Sequence, residues 1–471
     1  MLGRIVDEGF RAVESAASAV ASPFGPTVIR LGVTGLARAG KTVFITSLVA
    51  NLLDRQRMPG LSAAARGAIR AAWLQPQPDD TVPRFAYEEH LAALTGPAPR
   101  WPDSTRAVSQ LRLSLKVQPQ GLLGAVSGPQ TVHLDIVDYP GEWLLDLALM
   151  DRGYRDWADM VLDTAEGRPE AAAYLALIRE TDPARPYDEA TAQRLARTYV
   201  AYLRAARDAG YADCTPGRFL MPGELDGSPA LTFAPLPATP ERMPRGALGR
   251  EMERRYDAYK SGIVRPFFRD HFARIDRQVV LVDLLGAIHA GPRAMQDLGL
   301  AMDRILAAFR PGRSSWLAAL LGARRVEKIL FAATKADHVH HTQHGRMTAI
   351  MEALLRAARD RAAFAGAETR AMAIAALRAT VEETRSHDGA RYDMVRGTLL
   401  ETGREAALYP GTLPDTPAEL LDTARAGRES WLGADYEVMR FAPAAVRLKP
   451  GEGPPHIRLD QAAEFLIGDR V

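Results

Sequence analysis

Val33–Leu48, VTGLARAGKTVFITSL, joins an apolar run, a loop bounded by two glycines and the start of a helix. Within it, Gly35-Leu36-Ala37-Arg38-Ala39-Gly40-Lys41-Thr42 fits G-x-x-x-x-G-K-[ST]. In such a loop Gly35 and Gly40 allow the backbone to approach an anion closely, so that successive amides from Ala39 to Val43 surround a phosphate. The helix that follows directs its free amides and the positive end of its dipole at the same anion. Lys41 is placed to reach β- and γ-phosphates, and the Thr42 hydroxyl to hold Mg²⁺. Ile29–Val33 reads as a strand and Val43–Leu53 as an apolar-faced helix, the context such a loop requires.

Outward from this stretch, 471 residues exceed one ordinary compact domain and call for large insertions or two to three domains. A hydrophobic content of 47% with 25% charged residues is that of a globular chain. The 59 basic residues nearly balance 57 acidic ones, and a net charge of +2 gives no electrostatic argument for nucleic acid or an anionic membrane. Only six of those basic residues are lysine, which makes Lys41 and Lys335 conspicuous. Cys214 stands alone, so neither an intrachain disulfide nor a thiolate cluster can form, consistent with a reducing cytoplasm. No run reaches the roughly 18 apolar residues of a membrane span. The N-terminal segment carries acids where a secretion signal has its apolar core, and reads as a helix docked on the body of the protein.

Residues 55–103 form a long spacer with helical periodicity at Leu61–Leu74 and Phe85–Leu94 and many prolines between. The alternating Leu111, Leu113, Leu115, Val117 predicts a strand, joined by a glycine turn at Gly121–Gly128 to the strand TVHLDIVD as an antiparallel pair. That second strand delivers Asp138-Tyr139-Pro140-Gly141. A carboxylate there can accept from a Mg²⁺-bound water, and the glycine amide can approach a γ-phosphate. Asp283-Leu284-Leu285-Gly286 matches the same pattern, but choosing it would leave too few strands before the next motif, so Asp283 reads as a strand-end or capping residue.

Between Trp143 and Arg277 helical periodicity dominates, over Trp143–Thr164, Glu170–Arg179, Asp188–Ala209 and Arg250–Ile275, with a proline- and glycine-rich loop at Thr215–Pro244. The runs RGYRDW, REMERRYD and FARIDR read as solvated helix faces. Strands follow at Val279–Leu284 and Val326–Ala333, separated by helices at Pro292–Phe309 and Trp316–Leu321. The second of these strands ends in Thr334-Lys335-Ala336-Asp337, a [NT]-K-x-D motif. Its carboxylate can accept both N1–H and the exocyclic amine of guanine, which adenine cannot supply, while the Lys335 stem covers the base. His338, His340, His341 and His344 come next and read as a polar surface loop rather than a metal site. A helix at Met347–Arg359, a strand at Arg370–Ala376, a hairpin in MVRGTLLETGREAALYPG and a closing helix at Leu459–Ile467 complete the chain. At the end of the Arg370–Ala376 strand, Ala375-Ala376-Leu377-Arg378, backbone amides at Ala376 and Leu377 are placed to meet guanine O6.

Together these motifs resemble the Ras-like branch of P-loop GTPases. The blocks GLARAGKTVFITSL, WPDST…LRL, LDIVDYPGEW, VVLVD, FAATKAD and AIAALRAT, in that order, are similar to the YcjX-like family of bacterial stress-inducible P-loop NTPases. The resemblance implies an α/β fold: a Ras-like core with a mostly parallel sheet, a large inserted helical domain and a C-terminal β-hairpin and helix extension. The expected organisation is an N-terminal helix (1–28), a first core segment (29–141, with a helical insertion at 55–103), an inserted helical domain (142–276), a second core segment (277–380) and an extension packed on the core (381–471). It further implies a cytoplasmic GTP-binding protein of an envelope-stress response, with Mg²⁺ and GTP or GDP as ligands and an unidentified, membrane-associated stress protein as partner. On the Ras-like pattern Thr105, or Ser104 beside it, closes onto Mg²⁺ and γ-phosphate, and Thr42 and Asp138 complete the metal site. Glu142 stands where many of these enzymes carry a water-orienting glutamine, which predicts slow hydrolysis. Arg38 lies where guanylate-binding proteins carry an arginine able to swing over the phosphates; pointing to solvent is its alternative. An ATPase of the same fold and a nucleotide-gated scaffold with negligible hydrolysis are the competing readings.

Overall fold

A computed structural model describes residues 26–36, 39–102, 107–119, 128–211, 213–237, 243–309, 326–362, 367–426 and 440–471. The expectations for the N-terminal segment up to residue 25, Arg38, Ser104, Thr105, most of the Gly121–Gly128 turn and the Trp316–Leu321 helix lie outside the described residues.

The centre is a seven-stranded sheet in the order β2-β3-β4-β1-β5-β6-β7. Its strands are β1 (Thr27–Gly35), β2 (Ile69–Gln75), β3 (Ser109–Val117), β4 (Gln130–Asp138), β5 (Arg277–Val282), β6 (Lys328–Ala333) and β7 (Glu368–Ala373). The run β4-β1-β5-β6-β7 is parallel, while β2 and β3 continue it antiparallel. Period-two alternation divides the strand side chains between two cores. Val279 and Leu281 of β5 and Leu330 and Ala332 of β6 face one layer; Val280, Val282, Ile329 and Phe331 face the other. The first layer contains α1 (Lys41–Leu53), which packs on α2 (Tyr87–Thr95), and the C-terminal helix α9 (Leu459–Ile467). The second is formed by the helical block together with α7 (Pro292–Ala308) and α8 (His344–Ala362).

β2 corrects the sequence expectation of a helix through Leu61–Leu74. Only Ser62–Ala65 are helical, and Gly67, at φ 66°, stops them in a left-handed conformation. The alanines that give Ile69–Gln75 its helical appearance instead fit an edge strand, where β3 supplies backbone partners with Leu74 opposite Leu113. The expected helical insertion at 55–103 therefore contributes a strand to the sheet.

The helical block includes α3 (Tyr154–Glu166), α4 (Glu189–Asp208) and α5 (Leu248–Tyr259), with Gly153 breaking the continuous helix expected from Trp143 to Thr164. Its basic runs are not simply solvated faces. Tyr154, Trp157 and Tyr256 are buried, and Trp157 stacks on Tyr256 with ring centroids 4.9 Å apart. Arg255 is anchored by Glu189 and Glu251. Short helices at Leu284–Ala290 (α6) and in the loops complete this layer. A separate antiparallel sheet, β10-β9-β8, is built from β8 (Val381–His387), β9 (Ala390–Thr398) and β10 (Glu405–Leu408). The expected hairpin is β9–β10; β8, a polar and mostly exposed strand, is the addition.

Candidate functional site

The C-terminal ends of β4, β1, β5 and β6 form one edge, and the loops that carry Asp138, Lys41, Asp283 and Asp337 leave from it. Val33 lies in register with Asp138, Gly35 with Leu281, and Val282 with Ala333. The phosphate-type loop and Thr334–Asp337 are therefore two strand positions apart, roughly 10 Å at sheet spacing. β1 has β4 on one side and β5 on the other, so the chain reverses its direction of winding there. Crevices at such a reversal are where open α/β sheets bind ligands.

Gly40 has φ 77° and immediately precedes α1, a conformation that costs glycine no Cβ clash. The Leu36 amide donates to Leu281 O at 3.0 Å, anchoring the start of the loop on β5. Lys41 pairs with Asp138, whose side chain is 1% exposed and whose Oδ2 is buried without a hydrogen-bond partner among the described residues. Thr42, the next residue of α1, is also buried. The Asp138 loop rests directly on the phosphate-type loop. Tyr139 N donates to Val33 O at 3.3 Å, and Thr34 Oγ1 donates to Tyr139 O at 3.2 Å. A methyl group at Gly141 would come within 2.3 Å of Gly35 O, so only glycine permits this approach.

Glu142 opens the short helix after Gly141 and is buried. Burial pushes its carboxyl above the usual range, opposed by its own backbone hydrogen bond and by Lys41 and Arg207. Beyond it, Asp146 accepts from Tyr259 OH and Gly217 N, tying this segment to the helical block. Tyr139 OH donates to Gln278 Oε1 at 2.6 Å, and Trp143 carries the Arg218 guanidinium 3.2 Å above its ring. The segment after Asp138 is thus fastened to β5 and to the inserted helices at several points.

On the far side of β5, Lys335 takes φ 61°, the left-handed region that a side chain enters only at a cost, and its ammonium pairs with Asp283. Asp283 Oδ1 also accepts from Gly286 N at 3.0 Å, so the competing Asp283 motif is a helix cap and lysine partner, in keeping with the strand count of the sequence. Asp337 is buried, its Oδ2 accepts from Ala379 N at 2.8 Å, and its carbonyl accepts from Thr380 Oγ1. Ala375 exchanges hydrogen bonds with Ile457, and the Arg378 amide donates to Pro455 O. Ala376 and Leu377 lie between these clamps, in the loop that leaves β7 beside Asp337.

Two of the four histidines correct the expectation of a surface loop, while His341 stays exposed as expected. His340 and His344 are buried, and His344 links Ala336 O through Nε2 to the Arg458 guanidinium through Nδ1. Sequence reasoning missed this latch, the Lys41–Asp138 and Lys335–Asp283 pairs, and the use of residues 454–458 as a brace. The two lysine pairs and the His344–Arg458 contact join residues 97, 52 and 114 positions apart, and they leave no local pattern. The edge brings together a glycine loop with a lysine and a threonine at a helix start, and a buried acidic loop two strands away. Among the described residues no helix is long and apolar enough to cross a membrane.

Comparison with known proteins agrees with this geometry. Residues 29–471 match the family described as YcjX-like family, DUF463. The chain is 36% identical over 460 residues to a protein of Escherichia coli strain K12 named Ras-like GTPase YcjX, covering 94% of this chain and 96% of that one. It is 34% identical over 472 residues to a Shewanella oneidensis protein of the same name, covering 94% of each.

Proposed function

Because the chain belongs to the YcjX-like family, whose relatives in two bacteria are named Ras-like GTPases, we propose that it binds guanine nucleotides and hydrolyses GTP slowly. The observation that carries this reading is the convergence of Lys41, Asp138 and Asp337 on one sheet edge, with Gly141 seated against Gly35. In this reading Gly35, Ala39, Gly40, Lys41 and Val43 hold the phosphates, with Arg38 of the same loop over them. Thr334, Lys335, Asp337, Ala376 and Leu377 hold the base.

Mg²⁺ suits the oxygen donors present: the Thr42 hydroxyl, the Thr105 hydroxyl of the sequence reading, and Asp138, whose buried Oδ2 has no other partner among the described residues. When bound, it would neutralise phosphate charge. Lys41 exchanges Asp138 for phosphate oxygens on binding, which frees the carboxylate to hold water. Gly141 N–H responds to the γ-phosphate, and the segment through Asp146 transmits that response to the helical block. Glu142 is poorly suited to orient the attacking water while ionised, because a carboxylate cannot donate a hydrogen bond to it and repels the γ-phosphate. Its burial equally favours a scaffold that holds GTP with negligible turnover, and multiple-turnover phosphate release separates the two. The cellular setting belongs to the same proposal: a cytoplasmic protein that signals its nucleotide state to a partner during stress.

The test measures GTP, ATP and xanthosine triphosphate affinities for wild type and Asp337→Asn. Wild type should prefer GTP over ATP, and the variant should lose roughly tenfold to hundredfold for GTP while gaining xanthosine triphosphate. Equal affinity for ATP and GTP, unaltered in the variant, would overturn the base assignment.

A further inference from the structure

Three side chains behind Asp337 converge from two segments that lie about forty residues apart. The ligand atoms of His340, His341 and Glu382 all lie within 4.8 Å of one another. His341 Nδ1 is 2.6 Å from Glu382 Oε2, and His340 Nε2 is 3.8 Å from the same oxygen. Two donors on one tetrahedral ion, each about 2.0–2.2 Å from it, are roughly 3.3–3.6 Å apart. The two observed separations straddle that spacing, so small side-chain rotations bring all three onto one ion. Asp393 adds a further acid. Its Oδ2 is 3.6 Å from His340 Nδ1, and Thr342 Oγ1 is 3.0 Å from the same nitrogen. Either accepts the N–H that a ring bound through Nε2 keeps on its other nitrogen, the usual outer support of a metal-bound imidazole. The alternative tautomer, with Nδ1 accepting from Thr342 N at 3.5 Å, is the longer contact.

We propose that His340, His341 and Glu382, supported by Asp393, form a binding site for a divalent transition metal of the zinc type. Two imidazoles and one carboxylate suit such an ion and leave a fourth position for water. Among the described residues, Glu382 and Asp393 face this corner with one neighbouring guanidinium, Arg378 Nη2 at 3.6 Å from Glu382 Oε1, so a cation relieves an excess of negative charge. The ion staples β8 and β9 to the loop that carries Asp337. His340 follows Asp337 by three residues, and Glu382 follows Ala379 and Thr380, the two residues hydrogen-bonded to Asp337. Occupancy therefore fixes both segments that position this carboxylate. The site uses no residue assigned to nucleotide binding and stands whether or not GTP is the ligand.

The full-length protein, stripped with chelator and dialysed, is titrated with Zn²⁺ against a chromophoric chelator, and with Co²⁺ followed by visible absorption. One equivalent at submicromolar affinity is expected, with a Co²⁺ spectrum of low coordination number. His341 is 64% exposed, so His341→Ala leaves the fold intact while weakening binding at least a hundredfold. Asp393→Asn, which changes only the support, should weaken it about tenfold to hundredfold. His387→Ala, on the exposed end of β8, should change nothing. The site is overturned if wild type binds no stoichiometric metal, if His341→Ala binds as wild type does, or if His387→Ala abolishes binding equally.

Discussion

Two loops with one four-residue pattern leave this sheet two strand positions apart, and they do different work. Asp138–Gly141 and Asp283–Gly286 each place an acid at the end of a parallel strand, and each acid pairs with a motif lysine, Lys41 in the first case and Lys335 in the second. The resemblance ends there. Asp283 turns one carboxylate oxygen to its own helix, and a methyl at Gly286 would first meet that carboxylate, at 2.9 Å. Asp138 keeps Oδ2 buried and unpartnered among the described residues, and Gly141 is fixed by the backbone of another loop, Gly35. A pattern that caps itself needs no ligand to explain it; one whose glycine answers to a second loop and whose acid keeps an unpartnered oxygen is the one we propose as the site.

The widest separation between the two should appear in their lysines. In the proposed reading, Lys41→Ala removes a phosphate contact and takes from Asp138 its lysine partner, so GTP turnover should fall by about 10²–10³. Lys335→Ala loses a partly exposed ion pair and a cover for the base, and nucleotide affinity should fall by roughly tenfold. Single-turnover hydrolysis and equilibrium nucleotide binding, measured for both, check this. Equal losses would erase the distinction drawn between the loops.

The glycines give the next contrast. Gly141→Ala forces backbone against backbone at 2.3 Å, and should destabilise by about 2–3 kcal/mol. Gly286→Ala lies within a helix, where alanine gains up to about 1 kcal/mol of propensity. That gain offsets the clash with the flexible Asp283 side chain, so the net effect should stay within about 1 kcal/mol. Urea unfolding of both variants is the measurement.

How much of this is legible in the sequence depends on the range of the forces involved. The strand–loop–helix at Val33–Leu48 and the antiparallel β3–β4 pair follow from local patterns, and the capping role of Asp283 from the number of strands between the motifs. The fold class is legible for the same reason. β2 is not, because alanine satisfies helical periodicity and edge-strand packing equally, and only the unpaired edge of β3 decides between them. The burial of His340 and His344 is hidden as well, since polar residues near a glycine suggest solvent until Arg458 and Glu382 arrive from distant sequence. The candidate site residues sit within readable motifs; what holds each in place does not.

Acidity extends the contrast past the two motifs. The Asp138 loop continues into Glu142 and Asp146, both buried, and burial raises the Asp146 carboxyl from 3.8 to about 6 despite hydrogen bonds from Tyr259 and Gly217. The folded state therefore holds this proton more tightly than the unfolded chain. Its contribution to stability is full below about pH 4 and is lost as pH rises to about 6, with a slope of at most about 1.4 kcal/mol per pH unit. Asp146→Asn keeps an acceptor for the Gly217 amide and does not titrate. Its stability relative to wild type, from urea midpoints at pH 4 to 7, should rise across that window and then level off. A flat difference would remove the buried acid from the account.

The smallest effect bears on the meaning of the second loop. If Asp283 serves mainly as a cap, its carboxamide should do nearly as well, because asparagine and aspartate are comparable acceptors for the amides at a helix start. Asp283→Asn should then cost only a few tenths of a kcal/mol beyond the weakened Lys335 pair, whereas Asp283→Ala should cost about 1 kcal/mol. Asp138 offers no such tolerance. There the charge itself is opposed to Lys41 in a buried place, and Asp138→Asn should abolish most turnover even where the protein unfolds at an unchanged urea concentration. Should Asp283→Asn prove as damaging to turnover as Asp138→Asn, the acid at the end of β5 would be part of the chemistry, and the division between cap and site would have to be redrawn through Lys335.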